Sequence, residues 1–176
     1  ASGEKSYWFC GMKLEALSDL YFNDYMNLVN DPEVHDFTQP GEDLKLFSEI
    51  EIRKWLQEIS LKKDRHDFAI LTDENDFVGE VVLNHIKNNE CNFRIAILPK
   101  YFNQSYGTFA CREVCKFAFT KTNIERIHLD VFAINPRAIK LYSNIGFQEI
   151  SRAKDDKAFV EIHMLLQKEN FKFGLK

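Results

Sequence analysis

A run of small and polar residues, at positions 103–108, separates an apolar segment that ends at Pro99 from a segment with helical periodicity. The apolar segment is rich in β-branched residues, which favours a strand. After the polar run, several apolar residues share one helical face, namely Ala110, Val114, Phe117 and Ala118. The first turn of a helix has N–H groups without helical partners and a partial positive charge. The spacing therefore predicts a helix N-terminus, which can hold a phosphate or pyrophosphate group, although many junctions of this kind bind no ligand.

A second helix start lies at residues 135–147, directly after an alternating strand at 127–133. Asn135 is a favourable N-cap, and Pro136 suits the first helical position, where its missing N–H costs nothing. Gly146 is suited to end the helix. An apolar stripe lies between these two ends, at Ala138, Leu141 and Ile145. Tyr142 is therefore predicted to lie on a different face of this helix.

Together the two segments resemble the GNAT superfamily of acyl-coenzyme A N-acyltransferases. The second segment follows the family pattern N-x-x-A-x-x-L-Y-x-x-x-G-F, with Asn135, Ala138, Leu141, Tyr142, Gly146 and Phe147. The resemblance covers nearly the whole chain and is nearest the branch that contains spermidine and ribosomal-protein-alanine N-acetyltransferases. It implies a single α/β domain over residues 1–176 with the GNAT fold. That fold has a mixed, mostly antiparallel sheet of about seven strands, about four flanking helices and two splayed central strands.

The apolar periodicity predicts the element order β-α-α-β-β-β-α-β-α-β-β. The first strand is predicted at residues 8–17, and Ser18 or Asp19 is predicted to cap the first helix. The pair Asp31-Pro32 is predicted to end that helix. A second helix carries the stripe Ile52, Trp55, Leu56 and Ile59. Further strands are predicted at residues 68–72, 77–86, 93–98, 127–133, 147–153 and 159–166.

The resemblance implies acetyl-coenzyme A as the co-substrate. Its pantetheine arm would pair with the backbone of one strand, at Ile95, Ala96 and Ile97. Its pyrophosphate would bind the loop and the helix start, at Asn103, Gln104, Ser105, Tyr106, Gly107 and Thr108. Asn135 completes the residues that the resemblance assigns to the cofactor.

The loop departs from the family pattern R/Q-G-x-G-x-G/A. Counted from Pro99, the pattern falls on residues 102–107, where Phe102 replaces the Arg or Gln and Ser105 replaces a glycine. A frame shifted by two residues begins at Gln104 but places Phe109 where a small residue is usual. The first frame is preferred because it keeps the spacing to the proline.

Acetyl transfer to an amine requires an ammonium to lose a proton, a thioester carbonyl to be polarised and a thiolate to be protonated. The resemblance implies Tyr142 as the proton donor to the coenzyme A sulfur, and a backbone N–H near Ile97 as the group that polarises the carbonyl. Relatives often place a glutamate where this chain has Asn92. Glu80, which follows a glycine, is the preferred general base. Glu90, His85 and a water chain remain alternatives.

Residues 31–60 contain eight acidic and three basic residues, a net charge of −5. An acidic rim would concentrate a cationic amine, with Glu33 and Asp36 as candidate binding residues. Solvated outer helix faces would have the same composition. A polyamine such as spermidine and a protein N-terminus both remain candidate acceptors. A coenzyme A-binding module without turnover is a further alternative, which Phe102 and Ser105 favour.

The composition narrows the possible partners. The net charge of −4 argues against a nucleic-acid partner, and no run of eighteen apolar residues predicts a membrane span. The four cysteines, at positions 10, 91, 111 and 115, lack the spacing of a zinc site or disulfide framework. We therefore expect no metal and free thiols in a reducing cytoplasm. The expected partners are the amine or protein N-terminus and further copies of the chain in a homodimer or larger homo-oligomer.

Overall fold

The computed structural model describes residues 11–173. Within them lie seven strands: β1 (Met12–Ala16), β2 (His66–Thr72), β3 (Phe77–Lys87), β4 (Glu90–Ile97), β5 (Arg126–Phe132), β6 (Gln148–Lys154) and β7 (Val160–Gln167). The same residues form five α-helices: α1 (Phe22–Val29), α2 (Pro32–Thr38), α3 (Glu49–Ile59), α4 (Tyr106–Lys121) and α5 (Pro136–Ile145). The strands make one mixed sheet in the order β1-β2-β3-β4-β5-β7-β6, which confirms the predicted fold class.

The predicted order is wrong at Asp31-Pro32, where one helix was missed. The pair ends α1 as predicted, but it also begins α2, so the chain has three early helices. The Asp31 side chain accepts hydrogen bonds from the N–H groups of Glu33 and Val34, and Pro32 occupies the first helical turn. Asp and Pro also suit an N-cap and the first helical position. A pair that ends one helix is therefore equally suited to begin the next one.

The predicted first strand at residues 8–17 is observed as β1, and its residues 8–10 lie outside the described part of the chain. No helix among residues 11–173 combines the length and the apolar character that crossing a bilayer requires. The chain divides into two compact units. The first comprises residues up to Val82 together with Ile95–Cys111, and the second comprises Leu83–Arg94 together with residues from Arg112. The single domain over residues 1–176 stays a prediction.

In the first unit, α1, α2 and α3 contribute apolar faces to a core shared with β2. Ser48 caps α3 with a capping box completed by Glu51, and the predicted stripe of this helix buries Ile52, Leu56 and Ile59. The core cluster consists of Leu17, Tyr21, Phe22, Tyr25, Leu28, Val34, Ile52, Leu56, Ile59, Ala69, Leu71 and Phe77.

Gly79 fixes how closely β3 approaches the last residues of β4 in this unit. A Cβ atom at position 79 would lie 2.1 Å from the backbone oxygen of Ala96 and 2.9 Å from the Cα of Ile97. Only a residue without a side chain permits that approach. The N–H of Leu98 also donates to the carbonyl of Val78, at 2.9 Å. Gly79 thereby positions the strand that the resemblance assigns to pantetheine.

In the second unit, β5 alternates between a buried and an open face. Ile127, Leu129 and Val131 are buried, whereas Arg126, His128 and Asp130 lie on the opposite face. The antiparallel partner β7 runs in register from Gln167 opposite Arg126 to Glu161 opposite Phe132. The strand β6 pairs with the other edge of β7, with an irregular register between Glu149 and Ser151.

The parallel ladder between β4 and β5 is short. Within the described residues it joins Glu90 to Arg126, Cys91 to Ile127 and Asn92 to His128. Both strands continue beyond these pairs, β4 to Ile97 and β5 to Phe132.

Candidate active site

The loop before α4 has a left-handed backbone at two non-glycine residues. The φ angles are +62° at Asn103 and +69° at Ser105, a region that glycine occupies most easily. In the preferred frame these residues take the two glycine positions of R/Q-G-x-G. In the shifted frame the second of these positions falls on Gly107, which lies inside α4 and is absent from the described residues with positive φ. The backbone therefore supports the frame counted from Pro99.

Short-range hydrogen bonds hold this loop. The N–H of Phe102 donates to the carbonyl of Pro99 at 3.0 Å, and Nε2 of Gln104 donates to the carbonyl of Lys100 at 2.8 Å. The Ser105 carbonyl accepts the first helical bond, from the N–H of Phe109, at 3.1 Å. The N–H groups in the first turn, just before Phe109, have no carbonyl acceptor within the helix. The loop and the first turn of α4 thus present the donors that a pyrophosphate needs.

Phe102 has a packing role at the position where the family has Arg or Gln. Its ring meets that of Phe37 on α2 edge to face, with centroids 5.3 Å apart and planes at 88°. Such a pair contributes roughly 0.5–1.5 kcal/mol beyond burial. The polar side-chain contact is therefore replaced by an aromatic contact that ties the loop to α2.

Ile95, Ala96 and Ile97 form the last part of β4 in the first unit, and all three are half-buried. Ala96 packs against the core cluster of that unit. Because a ligand that pairs with backbone groups leaves side chains free to vary, apolar residues here are compatible with a pantetheine contact. Their role stays a prediction.

Tyr142 lies on α5 in the second unit, within a cluster of aromatic rings. Asn135 begins the helix by accepting from the N–H of Ala138 at 3.2 Å, and Gly146 ends it with φ +125°. The Tyr142 side chain is buried, and its ring meets Phe93 at 5.8 Å and Phe147 at 5.7 Å, both edge to face. Packing against both phenylalanine rings therefore helps to set the orientation of the Tyr142 ring.

Glu80 is a buried carboxylate on β3 in the first unit, with 3% of its surface exposed. Arg65 donates two hydrogen bonds to Asp67, at 2.6 and 2.8 Å, and its guanidinium lies 4.7 Å from the centre of the Trp55 ring. The hydrogen bonds to Asp67 are the largest cause of a raised pKa of Arg65, and the negative charges of Asp67 and Glu80 add to it. Glu80 thus acts electrostatically on the half-buried guanidinium of Arg65, and its role as general base stays a prediction.

Glu33 and Asp36 lie on the exposed face of α2, while Val34 between them is buried. Their spacing of three residues places both carboxylates on one side of the helix, towards solvent. The structure therefore leaves this acidic face accessible to a cation. Their role in binding an acceptor stays a prediction.

Sequence reasoning missed His128, which lies on the open face of β5. It is the cross-strand partner of Asn92, the position where relatives often place a glutamate. The alternation of residues 127–133 indicated the open face, but strand register cannot be derived from one strand alone. The alternation within β5 alone therefore does not predict that His128 pairs with Asn92.

Comparisons with known proteins agree with the fold. A family model described as an acetyltransferase (GNAT) domain matches residues 12–148. The chain therefore belongs to the GNAT family of acetyltransferases.

Proteins similar to this chain include spermidine N-acetyltransferases. A spermidine N(1)-acetyltransferase of Vibrio cholerae serotype O1 is 27% identical over 84 residues, which are 47% of this chain and 49% of that protein. The matched segment thus spans about half the length of that curated relative. A crystal structure of spermidine N-acetyltransferase from Vibrio cholerae in complex with CoA and spermine has a TM-score of 0.81 at 20% identity, covering 91% of this chain and 97% of that one. A dodecameric structure of the Vibrio enzyme in an intermediate state has a TM-score of 0.78 at 20% identity, covering 90% and 95%. These structures show the shared fold.

Proposed function

We propose that this protein is an N-acetyltransferase that moves an acetyl group from acetyl-coenzyme A to a primary amine. The observation that carries the proposal is the left-handed backbone at both Asn103 and Ser105, directly before a 16-residue helix. This loop leads directly into the first turn of a helix, whose N–H groups bind anions such as phosphate. Membership of the GNAT family supports the same activity.

The cofactor contacts follow from the family resemblance and the loop geometry. The N–H groups of residues 103–108 would hold the pyrophosphate, because they lie at the positive end of α4. The backbone of Ile95, Ala96 and Ile97 would pair with the pantetheine arm. Asn135 would act indirectly, since its side chain fixes the first turn of α5 and so the position of Tyr142.

In the proposed reaction the amine nitrogen forms a bond to the acetyl carbonyl carbon and the carbon–sulfur bond breaks. A backbone N–H near Ile97 would stabilise the negative charge that develops on the carbonyl oxygen. Tyr142 would donate its phenolic proton to the departing thiolate, as a positioned general acid. The packing of its ring against Phe93 and Phe147 supports this role, because it limits the reorientation needed during the reaction.

Glu80 is the proposed general base on sequence grounds. Its burial supports a persistent electrostatic role, but it also separates the carboxylate from water. A proton accepted there would need a route to solvent.

We propose a polyamine such as spermidine as the acceptor. Three observations support it: the net charge of −5 over residues 31–60, the exposure of Glu33 and Asp36, and the spermidine acetyltransferase relatives. Exposed carboxylates attract a polycation over distances of about 10 Å at 0.1 M salt. We also propose that the chain assembles into a homo-oligomer, which the dodecameric Vibrio relative supports.

A competition experiment tests the choice of acceptor. The protein is incubated with acetyl-coenzyme A and an equimolar mixture of spermidine, spermine and a peptide with an N-terminal alanine, and products are identified by mass spectrometry. Preferential acetylation of the polyamines is expected. Acetylation of the peptide alone would favour a protein N-terminal acetyltransferase, and acetyl-coenzyme A binding without any product would favour a non-catalytic module.

A further inference from the structure

Gly79 lies within the buried part of β3, between Val78 and Glu80. Glycine weakens the interior of a strand, because it loses more backbone freedom on folding than other residues and has no side chain to pack. The φ angle of Gly79 lies outside the left-handed region, so the backbone conformation does not require glycine here. The reason for glycine at this position is therefore the space that a side chain would take.

That space is occupied by one peptide group of β4, the group that joins Ala96 to Ile97. A Cβ atom at position 79 would lie 2.1 Å from the Ala96 carbonyl oxygen, 3.0 Å from the Ala96 carbonyl carbon and 2.9 Å from the Ile97 Cα atom. Non-bonded heavy atoms pack best at about 3.5–4.0 Å, so an alanine methyl group would displace this peptide or its neighbours by about 1 Å. The obstructing atoms belong to the backbone, so a change of side-chain rotamer cannot relieve the contact.

The orientation of the same peptide determines where its N–H group points. The Ala96 carbonyl oxygen lies against Gly79 and therefore faces β3. No cis peptide bond occurs within residues 11–173, and in a trans peptide the N–H and C=O bonds point in opposite directions. The N–H group of Ile97 therefore faces away from β3.

The next residue along β4 supports this orientation. The Leu98 N–H group donates to the Val78 carbonyl of β3 at 2.9 Å. Backbone groups of successive strand residues alternate between the two sides of the strand, so the N–H group of Ile97 belongs to the side opposite that of Leu98. The Leu98 hydrogen bond and the close approach at Gly79 thus hold the end of β4 in one orientation.

We propose that Gly79 is a positioning residue for acetyl transfer, because the missing side chain lets β3 hold the Ile97 N–H group at the thioester carbonyl oxygen of acetyl-coenzyme A. This inference rests on the proposed function. Gly79 acts through the Ala96–Ile97 peptide. As the amine nitrogen bonds to the carbonyl carbon, negative charge develops on the carbonyl oxygen, and the Ile97 N–H group stabilises it until the carbon–sulfur bond breaks.

The size of the displacement decides the expected effect on the rate. A donor in an oxyanion site acts at about 2.7–3.1 Å from the developing charge. A misplacement of about 1 Å can lower a rate by about 10²-fold. In Gly79→Ala we therefore expect kcat to fall by about 10²-fold, whereas the KM for the amine should change little because the amine does not bind this N–H group.

Infrared spectroscopy tests the position of the N–H group without any acetyl transfer. Acetyl-coenzyme A with an isotopic label at the carbonyl carbon is added to the protein in the absence of amine, and the stretching frequency of the bound carbonyl is measured. A hydrogen bond to the carbonyl oxygen lowers this frequency, so the wild type should show a shift to lower wavenumber relative to the free cofactor. Gly79→Ala should lose most of that shift.

Two control variants separate this effect from loss of packing and from the neighbouring carboxylate. Val81 lies on the same face of β3 as Gly79 and is fully buried, so Val81→Ala destabilises the strand without adding an atom towards β4. Glu80→Gln removes the charge next to Gly79. Both controls should keep the carbonyl shift. Its loss in Val81→Ala as well would assign the effect to packing, and its loss in Glu80→Gln would assign it to the carboxylate; either result would overturn the proposal.

Leu98→Pro provides a second test that does not depend on the folding of Gly79→Ala. The backbone at Leu98 has φ −60° and ψ 140°, which proline adopts, so the change removes the N–H group that donates to Val78. The end of β4 then loses its hydrogen bond to β3 at this residue, and the carbonyl shift and kcat should both decrease. A folded Leu98→Pro or Gly79→Ala variant with the wild-type shift and kcat would overturn the proposal.

The two measurements distinguish this inference from the proposed function. A wild type that acetylates amines, with a carbonyl shift and kcat that survive Gly79→Ala, would reject the role of Gly79 and keep the proposed function. A wild type that shows the shift, loses it in Gly79→Ala and acetylates no amine would reject the proposed function and keep the role of Gly79. A wild type whose bound acetyl-coenzyme A shows no shift would overturn the inference.

Discussion

Asn92 and His128 are direct cross-strand partners in the last pair of the β4–β5 ladder. Paired residues of neighbouring strands project from the same face of the sheet, so the amide and the imidazole occupy adjacent positions. An amide cannot accept a proton from an ammonium group at neutral pH, whereas an imidazole can. The strand pairing thus provides an ionisable group beside the position that lacks one.

The left-handed backbone of the loop gives a prediction for Ser105. Replacement by valine should weaken coenzyme A binding about 10-fold or more, because a β-branched residue disfavours a φ of +69°. Replacement by glycine removes the same hydroxyl group but relieves the strain, so its affinity should equal or exceed that of the wild type. Calorimetric titration with coenzyme A measures both. Equal weakening in the two variants would show that the hydroxyl group, and not the backbone, matters.

The Tyr142→Phe variant tests the proposed proton donor. The ring contacts with Phe93 and Phe147 remain, so folding and coenzyme A affinity should change little. Loss of a positioned proton donor should lower kcat by about 10²–10⁴-fold. Steady-state kinetics should place the loss in kcat rather than KM, as for a contact made mainly in the transition state. Undiminished turnover would mean that another group protonates the thiolate.

The acidic face of α2 gives a prediction for acceptor binding. The double variant Glu33→Gln with Asp36→Asn should raise the KM for spermidine, and added salt should raise it in the wild type, because both reduce attraction of a polycation. The matched control is Glu74→Gln with Asp73→Asn, which removes the same charge from the exposed turn between β2 and β3. If both double variants raise the KM for spermidine equally, the increase reflects the net charge of the protein and not a binding site on α2.

Tyr21 gives a prediction about stability at high pH. Burial, then its hydrogen bond to Glu15 and the charge of that carboxylate, raise the pKa of Tyr21 to about 12. Since an unfolded tyrosine ionises near pH 10, the stabilising contribution is complete below about pH 10 and is lost as the pH rises towards 12. Denaturant unfolding of the wild type should show this fall in the free energy of unfolding. Tyr21→Phe should lack that component, and identical pH profiles would contradict the assignment.

Local signals predicted most of the fold. The caps at Asn135 and Gly146 and the apolar stripe of α3 are observed where the sequence indicates them, because each depends on residues close in sequence. Ser18 caps the 3-10 turn Asp19–Tyr21 that leads into α1, whereas the N-cap of α1 itself is Tyr21. The helix α2 was missed because Asp31-Pro32 suits both a helix end and a helix start. What distinguishes a helix end from a helix start here is the burial of Val34 in the core. That burial is a tertiary contact, which the local sequence does not show.

The candidate site was predictable where a motif is continuous in sequence. The loop at residues 102–107 and the helix at Asn135 were found in this way. The hydrogen-bonded group of Glu90, His128, His163 and Asp130 was not, because its members come from three strands and their contacts depend on register. The packing of Phe102 on Phe37 was likewise hidden, since it joins the loop to the helix that the sequence did not reveal.

The most direct test of the central claim follows the acetyl group itself. The purified protein is incubated with isotopically labelled acetyl-coenzyme A and spermidine, and the amine is analysed by mass spectrometry alongside the Tyr142→Phe variant and a sample without protein. We predict labelled monoacetylated spermidine and an equal amount of free coenzyme A thiol with the wild type, and a much slower appearance of both with the variant. Protein that binds acetyl-coenzyme A but transfers no label to any amine tested would contradict the account.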